Sequence, residues 1–378
     1  MKDVFIVADN ILSPLGSTTA ENFAQLTKNV SGIQQHSDAA ISAAPFYAAL
    51  LENNNGIIDE VQKSSYTKFE QLLISSIQNA LQNSEINTGD SKTVLIISST
   101  KGNINLLETE KYDSQLRKRI ALHHSSRLVA DYFHFVNRPL VVSNACISGL
   151  LAILTGMRLI RSGRYEHAVV VGADVISKFV LSGFQSFMAI SGRPCRPFDA
   201  DRDGISLGEA AGTIILSCSP KYANGIRISG GATGNDANHI SGPSRTGVEL
   251  SQVINTALQE AGVPASGIDF ISAHGTATIY NDEMEAKAIS LAGLHHVPMN
   301  SLKGYYGHTL GAAGLIESIV TIQSMKAGLV LPSKGFQQLG VTLPINICES
   351  LRYVSIQNTL KTASGFGGCN AAAVFSKL

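Results

Sequence analysis

The segment from Val141 to Gly149, Val-Val-Ser-Asn-Ala-Cys-Ile-Ser-Gly, constrains the fold of this chain more than any other. It begins with β-branched residues, which favour a buried strand, and it leads into residues 149–160, a run typical of a buried or amphipathic helix. Cys146 is therefore expected at a strand-to-helix corner. The positive end of a helix lowers the pKa of a thiol there and favours the nucleophilic thiolate. A small apolar core cysteine is the alternative interpretation.

The pattern around this corner predicts an α/β fold with parallel strands. A second buried strand follows the helix at residues 168–174, and strand–helix–strand in one compact stretch is typical of a parallel sheet that is covered on both faces. The other predicted strands lie at residues 4–8, 93–97, 212–217, 268–273, 297–300 and 370–375. The other predicted helices lie at residues 21–27, 69–83, 106–135, 249–261, 282–291 and 311–325, with turns or loops at 10–16 and 183–192 and loops with short helices at 30–60. No low-complexity linker separates the halves, so one compact two-lobed unit is expected.

Composition excludes several classes of function. The 378 residues carry 29 basic and 29 acidic side chains without a long basic run, so nucleic acid is not indicated as a partner. No apolar run reaches the ~18 residues of a membrane span, and the start lacks the apolar core of a signal peptide. Five widely spaced cysteines give neither a disulfide framework nor a zinc pattern. A reducing cytoplasm is therefore the expected location.

A polar stretch in the second half directly follows the predicted strand at 268–273. It reads His274-Gly-Thr276-Ala-Thr278, and a histidine at a strand end followed by glycine and two hydroxyls is typical of a ligand-facing loop. Asp282 follows closely and is a candidate to orient this loop. Taken alone, such a histidine is more often a structural residue.

Two further stretches carry chemically useful groups. Lys303-Gly-Tyr-Tyr-Gly-His308 precedes a helix of small residues, on which Glu317 is predicted to pair with Lys303. Residues 365–370, Gly-Phe-Gly-Gly-Cys-Asn, have glycines around one aromatic, which allow backbone N–H groups to face a reacting centre. A plain glycine-rich turn is the alternative. Cys369 lies at a strand start rather than a helix start, so it ranks below Cys146 as a nucleophile.

Taken together, the four stretches resemble the β-ketoacyl-[acyl carrier protein] synthases of the elongating, decarboxylating branch of the thiolase superfamily. The similarity runs from the Ser-Pro-Leu-Gly turn at 13–16 to the loop at 365–370, with the motifs in the family's order. The stretch Arg-Pro-Phe-Asp-x-Asp-Arg-Asp-Gly at 196–204 lies between the first two motifs. The resemblance implies a thiolase-like fold, in which two similar βα halves form a layered α-β-α-β-α core. Residues 1–219 would carry the cysteine, and residues 220–378 the two histidines.

The resemblance also implies a reaction. Cys146 takes an acyl group from a carrier protein as a thioester. His274 and His308 stabilise the enolate that forms when malonyl-carrier protein loses carbon dioxide, and the carbanion attacks the acyl group to give a product two carbons longer. Lys303 acts through its charge and its pairing with Glu317. Neither a metal nor a resident cofactor is implied, because phosphopantetheine arrives on the carrier protein.

The remaining roles are also implied by the resemblance. The backbone N–H groups of Cys146 and Phe366 form an oxyanion hole, and Phe366 matches the aromatic residue that gates the cysteine. Thr276 and Thr278 match positions that bind the phosphopantetheine arm. A Cys-His-His set separates this branch from the acyl-CoA-primed synthases, which use Cys-His-Asn, and from the degradative thiolases, which use a second cysteine.

Departures from the family pattern leave alternatives open. The chain is short for this branch, Ser364 replaces a common aromatic, and Lys101 aligns near an apolar wall of the acyl pocket. That lysine would shorten the pocket or favour a polar chain, unless it is a solvated loop residue. Fatty-acid synthesis and a specialised polyketide or aryl-polyene pathway both stay possible. The alternative function is a non-catalytic partner subunit like the chain-length factors, which lack the active cysteine. A homodimer is expected, or a heterodimer with a related subunit.

Overall fold

The computed structural model describes residues 2–51, 66–222 and 225–378. The helices are α1 (Thr19–Thr27), α2 (Lys68–Gln82), α3 (Leu106–Thr109), α4 (Ser114–Arg119), α5 (Leu122–Tyr132), α6 (Ser148–Arg161), α7 (Lys178–Ser186), α8 (Val248–Ala261), α9 (Ile279–Leu291), α10 (Lys303–Tyr306) and α11 (Ala313–Ala327). The strands are β1 (Phe5–Leu12), β2 (Gln34–His36), β3 (Phe46–Ala49), β4 (Thr93–Ser98), β5 (Leu140–Val142), β6 (His167–Asp174), β7 (Leu207–Gly208), β8 (Ala210–Ser217), β9 (Ile226–Asn235), β10 (Phe270–Ser272), β11 (Met299–Asn300), β12 (Leu329–Val330), β13 (Arg352–Tyr353), β14 (Asn358–Gly365) and β15 (Cys369–Lys377).

Two half-sheets meet at the centre of the molecule. The strand order is β11-β10-β14-β15-β9-β1-β8-β6-β4-β5, and β1 joins β9 through one residue pair, Phe5 with Arg227. In the first half β4 lies parallel to both β5 and β6. In the second half β10 lies parallel to both β11 and β14. The turn with Cys146 follows the carboxyl end of β5, and the loop with His274 follows the carboxyl end of β10.

Helices form three layers around the two half-sheets. The buried helices α6 and α11 lie between them, and a Cβ atom on Gly149 of α6 would come within 2.7 Å of the Leu315 backbone nitrogen of α11. Glycine at this crossing lets the two helix backbones touch. On the outside, α2 packs on β1, β6 and β8, while α8 packs on β9 and β15. The result is the α-β-α-β-α layering that the sequence predicts.

Most predicted elements of the core agree with the structure, whereas the peripheral ones do not. The predicted strand at 4–8 continues to Leu12, so the turn begins only at Ser13. The predicted helix at 106–135 is three short helices, because the Asp113 side chain accepts the N–H groups of Gln115 and Leu116 and starts a new helix there. The short helices predicted within 30–60 are wrong for the described part, 30–51, which contains β2 and β3 instead, while residues 52–60 lie outside the described residues. The predicted loop at 183–192 begins inside α7.

Strands β9 and β14 were not predicted. Strand β9 contains three glycines, and β14 carries a lysine and a serine, so neither has the run of large apolar residues that indicates a strand. Strand β5 is half-buried rather than buried, because it lies at the end of the sheet. No helix in the described part of the chain is long and apolar enough to cross a membrane. The division of the chain at residue 219 stays a prediction.

Candidate active site

A tight turn between β5 and α6 presents Cys146. Ala145 has a left-handed backbone with φ of +44°, which turns the chain sharply before the cysteine. The Ser148 hydroxyl accepts the N–H of Asn144 at 2.8 Å and donates to the Ala145 carbonyl at 2.6 Å. These bonds hold the thiol at the beginning of α6, as the sequence predicts.

The expectation of a lowered thiol pKa is wrong for this structure. Cys146 is only 9% exposed, and burial raises the pKa of its thiol to about 12. The neighbouring Cys369 raises this pKa further, whereas the charges of Lys303 and Lys101 lower it. Desolvation of a thiolate therefore outweighs the two cations and the helix end. Lys101 lies close enough for its charge to reach the thiol.

This burial leads to a prediction about reactivity. Because Cys146 stays protonated below a pKa of about 12, its thiolate fraction grows steadily with pH. We expect its alkylation by iodoacetamide to accelerate about tenfold for each pH unit above neutrality, without levelling off. Peptide-resolved mass spectrometry at several pH values measures this rate and separates it from Cys369. A plateau near neutral pH would show instead that the helix end controls the thiol.

Two histidines lie side by side near the cysteine. His274 follows β10 and His308 follows α10, and their ring centroids are 5.4 Å apart at an angle of 80°. They are 1% and 2% exposed. Burial, together with the charge of Lys303, holds the pKa of each imidazole well below its usual 6.5. Both rings are therefore neutral at neutral pH.

Hydrogen bonds assign the same tautomer to both rings. The Lys303 ammonium lies 3.2 Å from Nδ1 of His274, and an ammonium can only donate, so Nδ1 accepts and Nε2 carries the proton. Nδ1 of His308 accepts the N–H of Leu310 at 3.2 Å, which again puts the proton on Nε2. Within the described residues neither Nε2 atom has a protein partner. The site thus offers two neutral N–H donors.

Backbone contacts fix His308 in place. Its own N–H donates to the Ser206 carbonyl at 2.7 Å. The preceding Gly307 has φ of +66°, and a Cβ atom there would lie 2.3 Å from the Leu207 carbonyl oxygen. Only glycine fits this turn, which explains the Gly-His pair in the sequence.

Charged side chains behind the histidines support their loops. The predicted ion pair between Lys303 and Glu317 is present at 2.7 Å, with both side chains buried. Asp282 accepts the N–H of Thr276 at 2.8 Å and that of Phe198 at 2.7 Å, so it does orient the loop after β10. Burial raises the pKa of Asp282 to about 6.

Two buried charges of this site were missed in the sequence. Glu285 accepts the N–H groups of His274 at 2.8 Å and Gly275 at 2.7 Å. Its signal was its position three residues after Asp282, on the same face of α9. Lys361 pairs with Glu317 at 2.8 Å. No local sequence pattern indicated its role, because β14 itself was not predicted.

A cavity of about 360 Å³ is lined by several of the candidate residues. Its lining includes Cys146, His274, His308 and Phe366. Thr276 and Thr278 line it too, and their hydroxyl oxygens are 2.8 Å apart. The lining does not include Lys303, Glu317 and Asp282.

Aromatic side chains surround the mouth of this cavity. Phe366 is 38% exposed, and its ring centroid lies 5.8 Å from that of Phe184 and 5.5 Å from that of Phe187. Cys369 is buried, its thiol lies 3.4 Å from the Phe366 carbonyl oxygen, and burial raises its pKa to about 11. It is not among the cavity-lining residues, unlike Cys146.

Comparison with known proteins agrees with this arrangement. The family model "Beta-ketoacyl synthase, N-terminal domain" matches residues 1–220, and "Beta-ketoacyl synthase, C-terminal domain" matches residues 226–337. The chain is 28% identical to 3-oxoacyl-[acyl-carrier-protein] synthase 2 of Vibrio cholerae, over 99% of each chain.

Solved structures share the fold. The ishigamide ketosynthase/chain length factor superposes with a TM-score of 0.90 at 24% identity, over 100% of this chain and 99% of that chain. A type II polyketide synthase acyl-carrier protein in complex with its ketosynthase bound to the hexaketide gives a TM-score of 0.85 at 22% identity, over 100% of this chain and 99% of that chain. The predicted thiolase-like fold is confirmed. Because the two family models together match residues 1–220 and 226–337, this chain belongs to the β-ketoacyl synthases.

Proposed function

We propose that this chain is a 3-oxoacyl-[acyl carrier protein] synthase, an acyltransferase that performs decarboxylative Claisen condensation. One observation carries the proposal: the Cys146 thiol and two neutral histidines with free Nε2–H groups share one cavity. This set provides a nucleophile that can hold an acyl group and two donors for an enolate oxygen. The family of the chain and the name of its Vibrio relative support the same reaction.

The first half-reaction moves an acyl group onto the enzyme. Sγ of Cys146 attacks the thioester carbonyl of an acyl-carrier protein, with the backbone N–H groups of Cys146 and Phe366 as donors to the oxyanion. The carrier's phosphopantetheine thiol leaves and takes the proton of Cys146. The raised thiol pKa makes this proton transfer part of the step rather than a preceding equilibrium.

The second half-reaction uses the two histidines. Their Nε2–H groups donate to the thioester oxygen of malonyl-carrier protein, and as carbon dioxide leaves, the electron pair of its C–C bond forms the enolate. The enolate carbon attacks the acyl-Cys146 carbonyl, the new C–C bond forms, and the expelled Cys146 thiolate takes up a proton from water. Neutral donors suit this site because the enolate must form and then react without being held in an ion pair with a charged imidazolium. No resident cofactor enters either step.

The cavity also supports the predicted partner. Thr276 and Thr278 place hydroxyl groups along its wall, where a phosphopantetheine arm would pass, and Phe366 stands exposed at its mouth to admit the arm. We therefore propose acyl carrier protein as the partner. A homodimer, or a heterodimer with a related subunit, and a cytoplasmic location remain our predictions. A solved neighbour pairs a ketosynthase with a chain length factor, and the assembled Cys-His-His set favours the catalytic member of such a pair.

Intact-protein mass spectrometry tests the proposal. The wild type and Cys146→Ala are incubated with acyl-carrier proteins of several chain lengths. We expect an acyl adduct on the wild type alone, because the adduct is a Cys146 thioester, and the range of lengths accepted measures the acyl pocket. A Cys369→Ser control should still form the adduct. If no donor gives an adduct, the proposal of an enzyme is overturned, and the non-catalytic partner subunit becomes the favoured function.

A further inference from the structure

Lys361 is a buried charge that the proposed reaction leaves without a role. It lies in the middle of β14, and its side chain has no exposed area. Taking an ammonium group out of water is strongly unfavourable unless its charge and its N–H groups are compensated. Its surroundings therefore show what holds it there.

Three carbonyls accept the N–H groups of Lys361. They belong to Ser272 at 3.1 Å, Ala273 at 3.2 Å and Thr362 at 2.7 Å. An ammonium has three N–H bonds, so these carbonyls occupy all of them. The contact of Nζ with Oε2 of Glu317, at 2.8 Å, is therefore held by charge.

Glu317 is shared between two lysines. Its Oε1 lies 2.7 Å from Lys303, and its Oε2 lies 2.8 Å from Lys361. Lys303 also donates to the carbonyl of His274 and lies beside its Nδ1. The two ammonium groups thus bind three successive carbonyls, those of residues 272–274, and one carboxylate between them.

We propose that Lys361 is a positioning residue for the decarboxylation step. It holds the peptide that leads into His274 and keeps Glu317 centred between two cations, so that Lys303 stays directed at Nδ1 of His274. This inference rests on the proposed function. It adds a residue that acts through Glu317 and Lys303 and does not touch the substrate.

The charge balance around His274 explains the expected effect. The charged and titratable groups that surround it are Lys303 from α10, Glu317 from α11, Lys361 from β14, Glu285 and Asp282 from α9, Arg202 beside Asp282, and the neighbours His308 and Cys146. Lys361 is one of the cations that lower the pKa of His274. Without it, Glu317 and Glu285 face one lysine, and protonation of His274 becomes easier. A protonated Nδ1 can no longer accept from Lys303.

The pH dependence of carbon dioxide release from malonyl-carrier protein tests this role. In the wild type we expect the rate of carbon dioxide release to fall on the acid side only below the ordinary histidine pKa of 6.5, where His274 becomes protonated. This acid limb of the rate–pH profile is the quantity to compare between variants. In Lys361→Met we expect the midpoint of this limb to move upward by about 1 pH unit, the order expected from one unit charge in a protein interior. Lys361→Gln, which keeps a donor for the carbonyls but not the charge, should show the same shift and is the variant to use if Lys361→Met does not fold.

Leu360→Ala is the matched control. Leu360 is a fully buried neighbour on the same strand, so its truncation loosens β14 without changing a charge. Leu360→Ala should lower stability, but the midpoint of the acid limb should stay at its wild-type pH. An unshifted limb in Lys361→Gln, with the wild type active, overturns the inference. A wild type that neither forms an acyl adduct nor releases carbon dioxide overturns the proposed function instead.

Discussion

Replacement of His308 by alanine is expected to slow decarboxylation of malonyl-carrier protein by about 10²–10³-fold, the usual effect of removing one oxyanion donor. The Nε2–H of His308 faces the cavity because its Nδ1 is occupied by Leu310. It stabilises the enolate oxygen, whose charge develops only in the transition state, so kcat should fall and KM should change little. His274→Ala should behave similarly, with an added loss because Lys303 would be left without its Nδ1 acceptor.

Two measurements separate the half-reactions in these variants. Carbon dioxide release reports decarboxylation, and intact mass reports acylation of Cys146, which we expect to continue. His239→Ala is the matched control, since His239 lines the same cavity from an exposed position at its mouth. An equal fall in acylation and decarboxylation would contradict the division of roles and make His308 the proton acceptor of Cys146.

Replacement of Glu317 by glutamine is expected to destabilise the protein by about 3–5 kcal/mol, the range for removing one partner of a buried ion pair. Glu317 is 4% exposed by side chain and faces Lys303 at 2.7 Å and Lys361 at 2.8 Å. The amide leaves two ammonium groups close together in a buried site. Urea denaturation of the wild type and the variant measures the change in the free energy of unfolding.

The destabilisation should depend on pH. Burial, with the charge of Lys303, already lowers the pKa of Lys361, and loss of its counter-ion lowers this pKa further. Folding then disfavours the protonated lysine, so the deficit is larger at neutral than at alkaline pH. It shrinks as pH rises through the lowered pKa and Lys361 loses its proton. Glu85→Gln, which breaks an exposed pair with Lys221, is the control and should change little. Equal stability of Glu317→Gln and the wild type would contradict the buried pairing.

Local sequence patterns predicted several elements of the core. Strand β4, helix α2 and helix α8 were predicted to within about two residues, because long periodic segments are the strongest signal. Strands β9 and β14 gave no such signal, since glycine and polar residues occupy positions that only packing against α8 and α11 makes strand-like. The prediction of one helix at 106–135 was wrong although the composition there is helical. The Asp113 side chain caps a new helix and interrupts the segment.

The sequence by itself determined the local setting of the main reactive side chains. Cys146 at a strand-to-helix turn, His274 after a strand, Gly307 before His308 and the spacing of Lys303 from Glu317 are all local features, and neighbouring residues decide them. Only the tertiary structure decided which of these groups carry protons and which charged groups contact one another. The raised pKa of Cys146, the Nε2–H tautomer of His274 and the pairing of Lys361 with Glu317 depend on desolvation and on charges. Those charges come from other elements of the fold, such as Lys303 for Cys146 and Glu317 for Lys361, which no local pattern records.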